Sequence, residues 1–155
     1  MLRNSMMTLT FLAGFSSAAV AADFDAGALH EEFMGAFNDR QWEQVKSMLA
    51  EDSVFHRANA AEVYSGPDAI VDHFEQPIGG EWNVKFVRLE SEDQVTGTDG
   101  RVVERGDFAI TAGADDGACY AGSYMMTWAP QDGGDDWRLQ VFSWQDVETG
   151  PEGCK

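Results

Sequence analysis

From residue 82 to residue 147 the chain reads as four apolar-rich stretches separated by short glycine-bearing turns, and this pattern leaves few folds open. Residues 82–95 and 101–112 flank Thr96-Gly97-Thr98-Asp99-Gly100, residues 113–117 lead into 119–128, and Asp132-Gly133-Gly134 leads into 137–147. Strands joined by turns this short pair with their neighbours as an antiparallel meander. Helical spacing is confined to the first half of the chain. Leu29, Phe33 and Phe37 recur at i, i+4, i+8 over residues 25–38, and Trp42, Val45 and Leu49 recur at i, i+3, i+7 after an Asn38-Asp39 break in which Asp39 is placed to cap the second helix. A short strand follows at residues 53–57. Ser65-Gly66-Pro67-Asp68 then reads as a helix start with Ile70 and Phe74 turned inward, and Pro77 with Gly79-Gly80 ends that helix. With the helices in the first half and the meander in the second, the order specifies an α+β domain in which an antiparallel sheet packs against N-terminal helices.

The first 22 residues are expected to be a signal peptide. Arg3 is their one charge, residues 6–15 form a short apolar run, and Val20 and Ala22 suit the −3 and −1 positions of a cleavage site. That run is too short to span a bilayer. Cleavage leaves residues 23–155 as one domain in the periplasm or outside the cell. The domain carries nine basic against 27 acidic residues, a net charge of −18. Such a surface repels phosphate backbones and anionic lipid, so neither nucleic acid nor a membrane surface is an expected partner.

Cys119 and Cys154 are the two cysteines. In an oxidising compartment a pair is more often bridged than free. With Gly133-Gly134 at the tip of a hairpin, paired residue numbers sum to about 267, so Cys119 falls opposite roughly residue 148. Gly150-Pro151 can then turn the tail back to bring Cys154 alongside. In residues 137–147, Leu139, Val141 and Val147 alternate with Phe142 and Trp144, so one sheet face is expected to be covered by helices and the other to expose an aromatic patch. A patch of that kind on a soluble protein points to an interface, here a homodimer.

In FMGAFNDRQWEQVKSMLAEDSVFH (33–56), VYSGPDAIVDHF (63–74), ERGDF (104–108), GSYMMTW (122–128) and DWRLQVFSW (136–144), the chain resembles the SnoaL-like family of the nuclear transport factor 2-like superfamily, and the likeness runs over nearly all of residues 23–155. The resemblance implies a cone-shaped sheet with a hollow between it and the helices. It names no reaction, because this fold carries isomerases, dehydratases, cyclases, hydrolases and binding domains alike. Ketosteroid isomerase, a member of that superfamily, implies three working groups. Its helix phenol falls at Phe33, its carboxylate base at Arg57, and its strand acid near Tyr124. Phenylalanine cannot donate a hydrogen bond and arginine cannot accept a proton, so that route is disfavoured.

Other polar groups remain as candidates. His56, on the first strand, is placed to act as a general base at a cavity mouth or simply to hydrogen-bond at a strand end. Arg105 and Asp107 share a strand face; on the cavity side they would bind and polarise a ligand, on the open side they form a surface pair. His73 follows Asp72, but adjacent helix residues do not face one another, and both are expected at the surface. Tyr124, Met126 and Trp128 share one face. Together with Phe33, Phe37, Phe55, Trp82, Leu139 and Val141 they form either an apolar pocket with Tyr124 as its polar handle or a filled core. Metal is not expected, since His30, His56 and His73 lack ligand spacing; nor is a cofactor, since no phosphate-binding glycine loop is present. The leading expectation is an exported domain that binds a small apolar or aromatic molecule without catalysis. The alternative is a cofactor-free lyase, isomerase or hydrolase using His56, Asp107 or Tyr124.

Overall fold

A computed structural model describes residues 24–75, 83–113, 117–131 and 136–155. The expected signal peptide, Trp82, the 77–80 helix stop and the glycine pair at 133–134 lie outside the described residues. Among the described residues, helices α1 (Ala26–Asn38) and α2 (Trp42–Met48) open the domain, and a third helix, α3 (Pro67–Glu75), follows the first two strands. Six strands form one curved sheet: β1 (Leu49–Arg57), β2 (Glu62–Ser65), β3 (Lys85–Thr96), β4 (Val102–Ala112), β5 (Ala118–Gln131) and β6 (Asp136–Thr149). Their order is β2-β1-β6-β5-β4-β3. The β3–β6 meander is antiparallel throughout, and β1 joins it parallel to β6. Among the described residues, no helix is long and apolar enough to cross a membrane.

Asp25 caps α1 by accepting a hydrogen bond from the Ala28 amide at 3.0 Å. Asp39 does not cap α2. It terminates α1, its backbone N–H donating to the Gly35 and Phe37 carbonyls, and α2 starts from Gln41 without a side-chain cap. The chain reverses between the two helices at Arg40, whose φ of 60° is left-handed, so helix geometry cannot begin at Asp39. The Arg40 guanidinium then bonds to Asn83 and to the Val84 carbonyl, tying this corner to the start of β3.

Aromatic rings fill the space between α1, α3 and the sheet. Phe37 lies 5.0 Å from both Phe74 and Phe86, Phe33 lies 6.0 Å from Phe142, and Phe55 lies 4.9 Å from Trp144, centroid to centroid. These edge-to-face contacts are an arrangement that ring quadrupoles favour.

Among the described residues, the expected outward aromatic patch is not present. Thr127 pairs with Val141 while the next residue, Trp128, pairs with Leu139, so Gln140 is an extra residue on β6. The bulge flips the side-chain alternation. Leu139, Phe142 and Trp144 therefore all face inward, and Val141 turns to the outer face. That outer face instead carries a row of β-branched side chains running Val54, Val141, Thr127, Val103 and Val95 across five strands.

Two glycines on the inner face lie where the backbone approaches another strand closely. A Cβ on Gly106 would come 1.9 Å from the Glu90 carbonyl oxygen, and one on Gly122 would come 1.8 Å from that of Gln145. Gly106→Ala must therefore push β3 away from β4. It is expected to lower unfolding free energy by about 1–3 kcal/mol in urea denaturation.

Candidate functional site

The packed core stops short of one corner of the sheet, where a hollow of about 200 Å³ opens between α3, the ends of β1 and β2, and β4–β6. Its apolar walls are Phe74 of α3, Val84 before β3, Ile110 of β4 and Trp144 of β6. The polar side consists of Arg57, Glu62, His73, Tyr120 and Asp146.

Strand register brings the polar groups together. Arg57 is the last residue of β1 and lies beside Trp144, with Asp146 two residues further along the same face of β6. Arg57 Nε donates to Asp146 Oδ1 at 2.9 Å and Nη2 donates to Oδ2 at 2.8 Å, a two-pronged pair. This bonding to Asp146 raises the guanidinium above its ordinary pKa. Asp146 is only 3 % exposed, and its carboxylate is satisfied by that fork. The turn after β1 is tied down too: the Ala58 amide donates to the Trp144 carbonyl at 2.7 Å, and Asn59 Nδ2 donates to the Asp146 carbonyl at 2.8 Å. That turn delivers Glu62, the cross-strand partner of Arg57, to the start of β2.

His73 closes the α3 side. Its ring stacks on Tyr64 at 4.0 Å, and Tyr64 Oη donates to Glu62 Oε2 at 3.2 Å. Burial lowers the His73 pKa below its ordinary value; Glu62 works against that shift and Arg57 with it. The imidazole is thus a neutral acceptor at neutral pH. A depressed folded pKa means that the unfolded chain binds the proton more readily. The His73 contribution to stability is therefore complete above the unfolded value near 6.5 and is lost as pH falls through the lower folded value. In denaturation series below pH 6.5, His73→Gln is expected to flatten the loss of stability seen in the parent chain. On the sheet side, Trp144 stacks on Phe108 at 5.2 Å, while its indole N–H is buried with no hydrogen-bond partner among the described residues.

A second polar group is sealed in the core. Glu104 Oε1 shares a 2.7 Å hydrogen bond with His30 Nε2 and accepts one of 2.8 Å from Trp128 Nε1. Glu104 is 1 % exposed and His30 3 %. Tyr124 meets the His30 ring edge-on at 5.8 Å, and burial, with Glu104 second, raises its phenol well above the ordinary value.

The structure redistributes the residues expected to form a site. Phe33, Phe37, Phe55, Met126 and Trp128 are core, and none lines the hollow. Tyr124 faces inward but belongs to the Glu104 cluster. His56 points to the outer face beside Ser143, whose Oγ is 3.4 Å from its Nδ1. Arg105 is exposed and bonded to Asp93, its Nε donating at 2.8 Å, and Asp107 is exposed on the same outer face. Val141 lies on that face as well, turned there by the bulge. His56, Asp107 and Tyr124 therefore do not converge. The residues that do converge are Arg57, Glu62, His73, Trp144 and Asp146. The hint in the sequence was Arg57: it occupies the strand position where the isomerase resemblance puts a carboxylate base. Among the described residues, no cluster of three or more histidine, cysteine or acidic side chains could hold a metal ion.

Comparison with known proteins places this architecture. The profile of the SnoaL-like domain matches residues 30–150. No curated protein matches the chain. Among solved structures, the chain is similar to a putative calcium/calmodulin-dependent protein kinase II association domain from Xanthomonas campestris (19 % identity, 77 % of this chain and 84 % of that one, TM-score 0.63). It is also similar to hexachlorocyclohexane dehydrochlorinase LinA-type3 from Novosphingobium barchaimii LL02 (16 % identity, 78 % and 84 % covered, TM-score 0.61). An NTF2-like protein from Cytophaga hutchinsonii is a third (15 % identity, 77 % and 93 % covered, TM-score 0.58). At these identities the structural likeness carries the fold alone. The profile match spans most of the sequence, and the chain belongs to the SnoaL-like domain family.

Proposed function

We propose that this chain is an exported domain that binds a small, largely apolar molecule in the hollow beside Trp144. One observation carries the reading. A space of about 200 Å³ opens beside the core of interlocked rings, and it is walled by Phe74, Val84, Ile110 and Trp144 with polar groups along one side. A dry apolar cavity of about 150 Å³ is enough to take up benzene, so the space suits a single ring with a short substituent. Binding without turnover is favoured because Arg57 and Asp146 are committed to each other. Export is supported by the signal-like first 22 residues and by the disulfide. A homodimer through the outer sheet face, with its row of β-branched residues, belongs to the same proposal.

The test is a thermal-shift and calorimetric screen of single-ring compounds against the parent chain and Ala60→Trp, since Ala60 also borders the hollow. Stabilisation of the parent, lost in the filled variant, is the expected result; a ligand at 100 times its Kd adds about 2.7 kcal/mol. Equal shifts in both proteins would reject this site. A cofactor-free acid–base enzyme is the second reading. It is favoured by the one neutral imidazole, His73, that borders the hollow. Turnover of a bound ligand that falls with His73→Gln while affinity persists would select it.

A further inference from the structure

We infer that the hollow takes a small organic cation, an ammonium group carried on a single apolar ring, with the ring against Phe74 and Trp144 and the charge toward Glu62. This deepens the binding function proposed above and rests on it. The charge balance of the walls comes first. Glu62 and Asp146 contribute two carboxylates against one guanidinium, Arg57. The Arg57 charge is already matched by Asp146, which takes its Nε and Nη2 at 2.9 and 2.8 Å. A ligand anion could reach only the guanidinium N–H groups outside that fork and would face the carboxylates of both Asp146 and Glu62. A cation meets the opposite situation, since one negative charge on the walls is left over.

The second argument is the kind of surface present. Phe74, Tyr120 and Trp144 offer aromatic rings around one small volume. A cation over such faces is attracted by the ring quadrupole, most strongly by tryptophan and more so when water is excluded. His73 adds a fourth ring, and its depressed pKa keeps it from contributing a competing positive charge at neutral pH. The third argument is long-range. The whole chain carries 27 acidic against 10 basic residues, and a field of that sign concentrates cations and repels anions at every opening. The acidic surface alone would attract cations without selecting one. The aromatic walls of the hollow supply the selection.

Three single-ring probes of similar size separate this inference from the pocket reading: benzylammonium, benzyl alcohol and benzoate, titrated calorimetrically at one fixed ionic strength. Benzylammonium is expected to bind with one-to-one stoichiometry at least about tenfold tighter than benzyl alcohol, with benzoate weakest. In Glu62→Gln, the advantage of the cation over the alcohol should shrink to under about threefold. Ala60→Trp should abolish binding of both. Benzyl alcohol binding as well as the cation, or benzoate binding better, would overturn the charge assignment and leave the pocket in place. Cation uptake at several sites that Ala60→Trp leaves untouched would also overturn it, since the acidic surface would then be the binder. Failure of all three probes would reject the pocket itself.

Discussion

Replacing Glu104 by alanine is expected to lower the free energy of unfolding by about 3–5 kcal/mol, whereas Glu104→Gln should stay within about 1.5 kcal/mol of the parent. The asymmetry follows from geometry. Glu104 sits on the inner row of the sheet, beside Met126 and in line with Phe142 and Phe55. One of its oxygens serves both His30 Nε2 and Trp128 Nε1. Alanine removes that shared partner, so two buried nitrogens lose their hydrogen bonds at a place water cannot reach without opening the core. Each such orphan costs roughly 1–3 kcal/mol, and the missing side-chain atoms leave a void. Glutamine keeps the carbonyl oxygen and the volume. Urea denaturation of the two variants reads the difference directly, and near-equal midpoints would mean that the cluster is dispensable.

The second large effect is expected from the disulfide. Cys119 is buried on β5, opposite Thr149 at the end of β6; a 3₁₀ turn over Pro151–Cys154 then swings the tail back, so the two Cα atoms lie 5.9 Å apart. The bridge spans 35 residues. Closing a loop of that size removes enough unfolded-state entropy to stabilise the fold by roughly 3–4 kcal/mol. The double variant Cys119→Ala/Cys154→Ala should lose about that much. Reductant should bring the parent down to the same level and leave the variant unchanged. A loss under about 1 kcal/mol would show that strain in the bridge or residual order in the unfolded chain offsets the entropy.

Much of this architecture was legible because sheet and helix periods are written in the order of apolar residues. The helix starts at Asp25 and Pro67 and the four long strands fall within a few residues of where alternation and turn chemistry put them. The hairpin arithmetic for Cys119 misses by one residue, because the Gln140 bulge shifts the register from Thr127 onward. The same bulge defeated the assignment of faces on β6: a single inserted residue turns Val141 out and Phe142 and Trp144 in, and no composition signal marks it.

The site was harder to read for a different reason. Arg57, His73 and Asp146 come from three elements far apart in the chain, and in a sequence with 27 acidic residues nothing singles out Asp146 as buried. Glu104 was closer to hand. The alternation that puts Phe108 inside puts Glu104 inside as well, but a carboxylate reads as surface until its partners on α1 and β5 are seen. His30 carried a parallel signal, lying three residues before Phe33 and seven before Phe37 on the buried stripe of α1.

A crystal of the parent chain soaked with bromobenzene tests most directly whether the hollow beside Trp144 admits a ligand, independently of charge. Anomalous bromine signal enclosed by Phe74, Val84, Ile110 and Trp144 is the expected outcome. Bromine found only elsewhere, or side chains closed over that corner with no space left, would contradict the account.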